Sequence, residues 1–315
     1  MGHTVVVATR SFGSTSNEPR KILEEHDCAI VLVDERASDA ALLDALSTAD
    51  GLIVGGRQIT ASFINACPRL RVISKHGVGV DHINLGAAAA RGVIVTNTPG
   101  ANANGVADLT FALMLAVARP IIEANAALKR GEWGRYPGVE LWQKTIGLVG
   151  LGAIGSAVAK RAAGFDMTVL VHDPFVDHDT ARDVGAATAS LDELLQVSDF
   201  VSLHATLTED TRAIITASML ARMKRSAYLI NTARGELVDE EALFRALATG
   251  RLAGAALDVF AVEPPTRVDL VNLPNVVATP HIGSHSVEST TNVSTMAARN
   301  TVLVLTQQSP ISQVN

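Results

Sequence analysis

The chain has 315 residues, of which 48% are hydrophobic and 18% are charged, and its formal net charge is −6. This composition is typical of a compact globular protein with two domains and excludes a disordered or fibrous chain. No basic run is longer than a pair of residues, which argues against a nucleic-acid partner. No apolar stretch approaches the roughly 20 residues that span a bilayer, and the first residues contain no charged leader. We therefore expect a soluble, cytoplasmic protein that binds a small molecule.

The two cysteines, Cys28 and Cys67, show neither a pairing framework nor a CxxC spacing. Isolated cysteines of this kind favour small core residues over a disulfide or a metal site. The sequence therefore predicts no metal and no redox chemistry at sulfur.

Short β-branched segments alternate with Ala- and Leu-rich segments along the chain, a pattern typical of parallel sheets covered by helices. In the first third, strands are predicted at Thr4–Ala8, Ala29–Val33, Gly51–Val54, Arg71–Ser74 and Val93–Thr96. The pattern restarts after Trp142, with strands predicted at Thr145–Val149, Thr168–His172, Phe200–His204, Tyr228–Asn231, Gly254–Asp258 and Val276–Thr279. The sequence thus predicts an α/β protein built from two such units.

Between the two units lies a predicted helix, Asn102–Arg119, which is apolar on nearly all sides and is closed by Pro120. Such a helix must be buried, which favours an inter-domain or subunit interface. The turn-rich segment Gly131–Gly138 follows and carries Trp133 and Tyr136. It is interpreted either as an arm that grips a second subunit or as an ordinary surface loop.

Gly150, Gly152 and Gly155 form a GxGxxG sequence between a predicted strand and a predicted helix. In this context the glycines allow a tight turn and a close approach of the backbone to a pyrophosphate, so a dinucleotide site is favoured over a merely structural turn. Asp173 ends the next strand, where an acid can bind the ribose hydroxyls and repel a 2′-phosphate. NAD is therefore predicted rather than NADP; a turn residue before Pro174 is the alternative for Asp173.

Three polar side chains follow the ends of three predicted strands: Arg234, Glu263 and His281. Open α/β sheets bind ligands at the carboxyl ends of their strands. Hydride transfer at a 2-keto acid needs a cation for the carboxylate, a proton donor for the forming alkoxide and an acid that orients the donor. Each residue alone is compatible with a solvated loop position, but together they predict this chemistry.

These segments resemble those of D-isomer-specific 2-hydroxyacid dehydrogenases, the family that includes phosphoglycerate dehydrogenases and glyoxylate/hydroxypyruvate reductases. The resemblance spans nearly the whole chain and rests on Gly150–Gly155, Asn231–Gly235 with Leu237-Val238-Asp239, Ala256–Phe260 with Glu263-Pro264, and Thr279–Gly283. It implies two doubly wound domains, with an NAD-binding Rossmann domain (99–286) inserted into a flavodoxin-like substrate domain (1–98 plus 287–315). From the apolar helix Asn102–Arg119 and the arm that follows it, we also expect a homodimer.

The resemblance implies that Arg234 binds the substrate carboxylate and carbonyl oxygen, and that His281 protonates this oxygen as hydride arrives from NAD. Glu263 would hydrogen-bond the other imidazole nitrogen and fix the tautomer. Cofactor contacts are implied for Gly150, Gly152, Ala153, Ile154, Gly155, Asp173, Thr232, Ala233, Asp258 and Gly283, with Asp258 at the nicotinamide carboxamide. The backbone amides of Val78 and Gly79 would hold the substrate carboxylate, although Gly77–Gly79 alone is also compatible with a simple tight turn.

Three sites depart from the commonest pattern of that family: Asp108 replaces Glu, Thr206 replaces Pro, and Ser284-His285 follows Gly283. None removes a predicted catalytic group. The substrate class stays open among 3-phosphoglycerate, glycerate/hydroxypyruvate and glyoxylate. Because the chain ends soon after its last helix, we expect no appended regulatory domain.

Arg57 and Lys75 follow predicted strands, where they are either solvated cations or a binding site for a second anionic group of the substrate. Two other functions share parts of this pattern. A formate- or phosphite-type dehydrogenase shares the scaffold, but formate enzymes carry Gln where Glu263 stands. A non-catalytic, NAD-responsive corepressor-like protein would keep the cofactor site and need a recruitment surface.

Overall fold

The structure is a computed structural model and describes residues 2–315. The chain divides into two compact units. The first unit contains the chain up to Asn102 together with Ser284–Asn315, and the second contains Ala103–Gly283. The domain boundaries predicted from the sequence, 98/99 and 286/287, lie a few residues from these positions.

The first unit begins with five strands that alternate with four helices. The strands are β1 (His3–Ala8), β2 (Cys28–Leu32), β3 (Gly51–Val54), β4 (Val72–Lys75) and β5 (Ile94–Thr96). The helices are α1 (Glu18–Glu24), α2 (Asp39–Leu46), α3 (Ala61–Asn65) and α4 (Leu85–Ala90). The strands form one parallel sheet in the order β2-β1-β3-β4-β5, which is the flavodoxin-like order.

Both faces of this sheet are covered. Val5, Ile53 and Val72 belong to a cluster on one face, whereas Val6 and Leu52 belong to a cluster on the other face. This alternation follows from the two-residue period of a strand and explains why the strands are apolar throughout. The helices α2, α3 and α4 each begin at a polar N-cap whose side chain accepts a backbone amide: Ser38, Thr60 and Asn84.

The second unit begins with two helices, α5 (Ala103–Ala118) and α6 (Ile121–Lys129). Its strands are β6 (Thr145–Val149), β7 (Thr168–His172), β8 (Ala186–Thr188), β9 (Phe200–Leu203), β10 (Tyr228–Asn231), β11 (Gly254–Leu257) and β12 (Val276–Ala278). Its remaining helices are α7 (Ala153–Ala162), α8 (His178–Asp183), α9 (Leu191–Val197), α10 (Ala217–Leu220), α11 (Glu240–Ala248) and α12 (Val268–Val271). The last helix of the chain, α13 (Val287–Leu305), belongs to the first unit and packs against α1, β3 and β4.

The seven strands of the second unit form a parallel sheet in the order β12-β11-β10-β9-β6-β7-β8. Counted from β6, this is the Rossmann order with one additional edge strand. The strand order reverses between β6 and β9, so the loops after these two strands meet at the carboxyl edge. The predicted α/β class with two doubly wound parallel sheets is confirmed.

Each strand predicted from the sequence is present, within one residue at either end. One edge strand, β8, was missed: its three residues, Ala186–Thr188, lie in an Ala-rich stretch with little strand propensity. Its pairing with β7 supplies what the local sequence lacks.

Helix α5 is the predicted apolar helix, one residue shorter at each end. It packs against α7, β10 and β11 of its own unit, and Val106, Phe111 and Met114 are among its buried residues. Packing within the unit therefore accounts for much of its apolar surface. No described helix alone is long and apolar enough to cross a membrane; α5 and α6 together reach that length and composition but are bent by 66°.

Candidate active site

The polar residues predicted from the sequence follow strands of the second unit and lie at the carboxyl edge of its sheet. The glycine-rich loop follows β6, the loop with Arg234 follows β10, the loop with Glu263 follows β11, and the loop with His281 follows β12. Because all seven strands are parallel, these loops emerge at the same edge.

Glycine is found at three positions of the loop after β6 for different physical reasons. Gly150 has a φ of +97°, and a Cβ there would lie 2.7 Å from the amide nitrogen of Ala205. A Cβ at Gly155 would lie 2.3 Å from the carbonyl oxygen of Gly150. The fold itself therefore excludes side chains at both positions.

Gly152 differs, because within residues 2–315 a Cβ at this position would meet no atom within 4 Å. It is the N-cap of α7 and offers no side chain to the amides of the first helical turn. The open space therefore lies above a helix N-terminus, where an anionic pyrophosphate is favoured. These residues fit a dinucleotide cofactor.

Asp173 lies directly after β7 and contacts the glycine-rich loop. Its Oδ2 accepts the Leu151 amide at 2.8 Å, and its Oδ1 accepts the Phe175 amide at 3.0 Å. The first contact places a carboxylate beside the dinucleotide loop, as a ribose-binding acid requires. The second contact is the one expected of a turn residue before Pro174, which was the alternative interpretation of Asp173. Asp173 can therefore serve both roles.

His204, just after β9, is a residue that the sequence patterns did not indicate. Its backbone carbonyl packs against Gly150, and its Nε2 lies 2.9 Å from Ser202 Oγ. Among the described residues, its buried Nδ1 has no hydrogen-bond partner. Burial disfavours the charged imidazole and lowers the pKa of His204 to about 4.

The structure brings Glu263 and His281 together: Glu263 Oε2 lies 2.7 Å from His281 Nδ1. The other carboxylate oxygen, Oε1, accepts the Phe260 amide at 3.1 Å, which fixes the orientation of the acid. Burial favours the neutral carboxyl, but the hydrogen bond and charge of His281, together with the Phe260 amide and Arg234, outweigh it and lower the pKa of Glu263. The carboxylate thus accepts a hydrogen bond from Nδ1–H, which leaves Nε2 of His281 for proton exchange.

Arg234 belongs to the same electrostatic neighbourhood, since its charge contributes to the lowered pKa of Glu263. The side chain of Asn231 shapes its loop: Nδ2 donates to the Arg234 carbonyl at 2.8 Å, and Oδ1 accepts the Ala233 amide at 3.0 Å. Arg234 is partly buried, and its Nη1 donates to the Ala233 carbonyl at 2.7 Å.

Gly235 explains how the loop with Arg234 reaches the loop with Glu263. A Cβ at Gly235 would lie only 1.9 Å from the carbonyl carbon of Phe260 and 2.1 Å from the amide nitrogen of Ala261. No side chain fits there, so a glycine is the condition for this close contact between the two loops.

Asp258 has a structural role that the sequence did not reveal. It is 1% exposed, and its Oδ1 accepts Thr279 Oγ1 at 2.6 Å and the Ile282 amide at 2.8 Å. Its Oδ2 accepts the Gly283 amide at 2.8 Å, and its backbone carbonyl accepts the His281 amide at 2.8 Å. His281 has a φ of +52°, an unfavourable value for a side chain, and these bonds hold it there. The predicted contact of Asp258 with the nicotinamide stays a prediction.

Thr232, in the loop with Arg234, and Gly283, in the loop with His281, are both buried. Thr232 is buried and its Oγ1 is 3.1 Å from Thr110 Oγ1 on α5, whereas a Cβ at Gly283 would lie 3.1 Å from Asp258 Oδ2. Their predicted cofactor contacts, and those of Ala153, Ile154 and Ala233, also stay predictions.

The predicted anion loop of the first unit follows β4. Gly77 has a φ of +137°, Val78 is exposed and Gly79 is partly exposed. In the part of the chain that the structure describes, the amides of Val78 and Gly79 donate no hydrogen bond to protein. Two adjacent backbone amides that have no acceptor within the protein can donate to a bound anion.

Arg57 and Lys75 are not the solvated cations that were the simpler interpretation. Arg57 donates to Asp39 Oδ1 at 2.5 Å and to the Ala37 carbonyl at 2.7 Å, and its side chain is 12% exposed. Lys75 is buried and its Nζ donates to the Gly55 carbonyl at 3.0 Å. These contacts favour a structural role for Arg57 over binding of a second substrate anion.

The chain is similar to known proteins over most of its length. Residues 111–283 match the family model described as D-isomer specific 2-hydroxyacid dehydrogenase, NAD binding domain. A glyoxylate reductase from Korarchaeum cryptofilum is 39% identical over 302 residues, which cover 93% of this chain and 91% of that protein. The crystal structure of the TT0316 protein from Thermus thermophilus superimposes with a TM-score of 0.90 at 39% identity, covering 99% of this chain and 100% of that one.

A D-3-phosphoglycerate dehydrogenase from Methanocaldococcus jannaschii is 43% identical over 289 residues. The match covers 90% of this chain but only 55% of that protein, so the chain spans about half the length of this relative.

Proposed function

Because the chain belongs to the D-isomer-specific 2-hydroxyacid dehydrogenase family, we propose that it transfers a hydride between a nicotinamide cofactor and C2 of a small 2-keto or D-2-hydroxy acid. The observation that carries this proposal is the 2.7 Å contact between Glu263 and His281 in the electrostatic neighbourhood of Arg234. An acid, an imidazole and a guanidinium at one sheet edge meet the needs of this reaction.

The bound nicotinamide would supply or accept the hydride. Arg234 binds the carboxylate of the acid through its paired N–H donors. His281 gives a proton from Nε2 to the C2 oxygen during reduction and takes it back during oxidation. Glu263 keeps the other nitrogen protonated and stabilises the positive charge on the ring.

NAD is the proposed cofactor, because the carboxylate of Asp173 lies against the dinucleotide loop and would repel a 2′-phosphate. The rates with NADH and NADPH test this proposal. A preference for NADH that disappears in Asp173→Ala supports it, and equal use of both cofactors by the wild-type protein contradicts it.

Glyoxylate and hydroxypyruvate are the proposed substrates rather than a phosphorylated acid. One of the relatives is named a glyoxylate reductase, and Arg57, the candidate for a second anion, is held by Asp39 and two backbone carbonyls. The test measures NADH oxidation with glyoxylate, hydroxypyruvate and 3-phosphohydroxypyruvate, with His281→Ala as the inactive control. A higher kcat/KM for the phosphorylated acid overturns this substrate class, and no turnover of any 2-keto acid overturns the proposed function.

A homodimer is proposed through the region that follows α5. Ile121, Ile122 and Leu128 on α6 are 52%, 56% and 59% exposed, and Trp133 is 92% exposed. Exposed apolar residues clustered along one segment are typical of an interaction surface. Light scattering of the wild type and of an Ile122→Asp, Trp133→Ala double variant tests it, since the proposal requires a dimer that the double variant weakens.

A further inference from the structure

Two successive carbonyls of the loop after β4 are held by one short segment of the chain. The Gly77 carbonyl accepts the Thr98 amide at 3.0 Å, and the Val78 carbonyl accepts Asn97 Nδ2 at 2.9 Å. In a trans peptide the C=O of one residue and the N–H of the next point in opposite directions. Binding both carbonyls on one side therefore turns the amides of Val78 and Gly79 to the other side.

Asn97 is in turn held by the end of the chain. Its Oδ1 accepts Ser312 Oγ at 2.6 Å, and its backbone carbonyl accepts Asn300 Nδ2 at 3.0 Å. Asn300 is fully buried on α13, and Asn97 is 9% exposed. Because the Val78 carbonyl can only accept, the side chain of Asn97 turns its amide nitrogen toward Val78, and Ser312 Oγ donates to its Oδ1.

The chain near Ser312 is anchored to the edge of the sheet. Thr96 of β5 forms an antiparallel bridge with Gln313, and the Val314 amide donates to the Val95 carbonyl at 3.0 Å. Ser312 thus meets Asn97 from a fixed backbone.

The chemistry at Asn97 requires a donor. A carbonyl oxygen only accepts, so the group facing Val78 must carry N–H or O–H. Aspartate has the same shape as asparagine but would set a charged oxygen against the Val78 carbonyl. Alanine would leave that carbonyl without its partner, and the peptide would be free to rotate its N–H away from the anion.

We propose that Asn97 is a positioning residue of the substrate-carboxylate site: it holds the loop so that the amides of Val78 and Gly79 face the carboxylate, and Ser312 fixes Asn97. This inference rests on the proposed function, because it takes the carboxylate of a 2-keto acid as the ligand. It extends that function to residues that do not touch the substrate.

The experiment compares four variants of the full chain: Asn97→Ala, Asn97→Asp, Ser312→Ala and, as the matched control, Asn315→Ala. Asn315 also bridges backbone groups of the β5 region through its side-chain amide, but within residues 2–315 it makes no hydrogen bond to the loop after β4. The measurements are the Kd of oxamate by calorimetry with NADH present, the Kd of NADH, and kcat and KM for hydroxypyruvate. Thermal unfolding of every variant reports its stability.

Asn97→Ala is expected to weaken oxamate binding and raise KM about tenfold, the size of one lost hydrogen bond, with a smaller change in kcat and an unchanged Kd for NADH. Asn97→Asp is expected to have a larger effect and Ser312→Ala a smaller one of the same kind. Asn315→Ala is expected to leave oxamate binding within twofold. Equal losses in Asn97→Ala and Asn315→Ala would show a merely structural role and overturn the inference.

A second measurement does not depend on catalysis. Oxamate added to ¹⁵N-labelled wild-type protein is expected to shift the amide resonances of Val78 and Gly79, and this response should be lost in Asn97→Asp and reduced in the milder Ser312→Ala. If both variants show the wild-type response, Asn97 does not position these amides. If the wild type shows the response but reduces no 2-keto acid, the proposed function fails while the positioning role stands.

Discussion

The two units offer different chemical groups at the same kind of place, the carboxyl edge of a parallel sheet. The second unit presents ionisable side chains, with Glu263, His281 and Arg234 on three loops. The first unit presents two backbone amides, at Val78 and Gly79, while its cations Arg57 and Lys75 are bound to groups of the protein itself. Proton transfer needs a titratable side chain, whereas holding a carboxylate needs only oriented donors.

The comparison also shows two ways to orient a site. In the second unit the buried carboxylate of Asp258 accepts three hydrogen bonds from the loop that carries His281. In the first unit the neutral amide of Asn97 holds the loop. The two oxygens of a carboxylate can gather several N–H and O–H donors, whereas a carbonyl needs a donor such as the asparagine amide.

The largest expected effect tests whether the chemistry depends on one side chain of the second unit. His281→Ala should lower kcat/KM for hydroxypyruvate about 10³-fold, because a positioned general acid contributes that much. Steady-state kinetics with NADH measure it, and His26→Ala, at an exposed histidine of the first unit, should change the rate less than twofold. A comparable loss in His26→Ala would show that the rate does not depend specifically on the histidine of the second unit.

The next effect concerns His204, whose Nδ1 is buried beside the dinucleotide loop. The pKa of His204 is about 4 in the folded protein, against 6.5 for an unburied histidine. Between these pH values only the unfolded chain binds the proton, so the stabilising contribution of the neutral ring is complete above pH 6.5 and is lost as pH falls toward 4. This loss is on the order of 3 kcal/mol.

His204→Gln should therefore flatten the acid limb of the stability curve, measured as urea midpoints by circular dichroism between pH 4 and 7. His178→Gln, at an exposed histidine of the same unit, should retain the wild-type slope. An unchanged slope in His204→Gln would instead show that the pKa of this ring is the same in the folded and the unfolded protein.

A smaller effect separates orientation from proton transfer. Glu263→Gln keeps the shape of the side chain but removes the charge that orients and stabilises the imidazole, and should lower kcat by about 10- to 100-fold with little change in KM. Stopped-flow measurement of NADH oxidation checks it. A rise in KM at constant kcat would instead assign Glu263 to substrate binding.

The smallest effect distinguishes a glycine needed by the cofactor from glycines needed by the fold. Gly152→Ala should leave the melting temperature nearly unchanged, because its Cβ meets open space, and should weaken NADH binding about tenfold. Calorimetry measures the affinity. Gly155→Ala is the matched comparison and should destabilise the unit itself, since its Cβ would lie 2.3 Å from the Gly150 carbonyl.

Sequence periodicity predicted both sheets to within one residue, because buried parallel strands are continuous apolar runs bounded by turns. It missed β8, whose pairing with β7 is not encoded in its own three residues. Arg234, Glu263 and His281 could be predicted together because each follows a strand that the sequence pattern indicates. Parallel strands end at the same edge of a sheet, so the three residues are expected at that edge. Asp258 was named from the sequence as a cofactor contact, but its structural role was not predicted. Nothing in a sequence distinguishes an aspartate that accepts three hydrogen bonds from any other aspartate.

The sequence by itself determined the fold class, the dinucleotide loop and the identity of the charged groups, because apolar period, glycine spacing and residue type are local properties. Only the tertiary structure decided that Arg57 pairs with Asp39, that Gly235 permits two loops to touch, and that Asn97 and Ser312 orient a pair of amides. Hydrogen-bond partners far apart in the chain and the direction of a peptide N–H depend on how distant segments pack. A residue's identity does not contain that information.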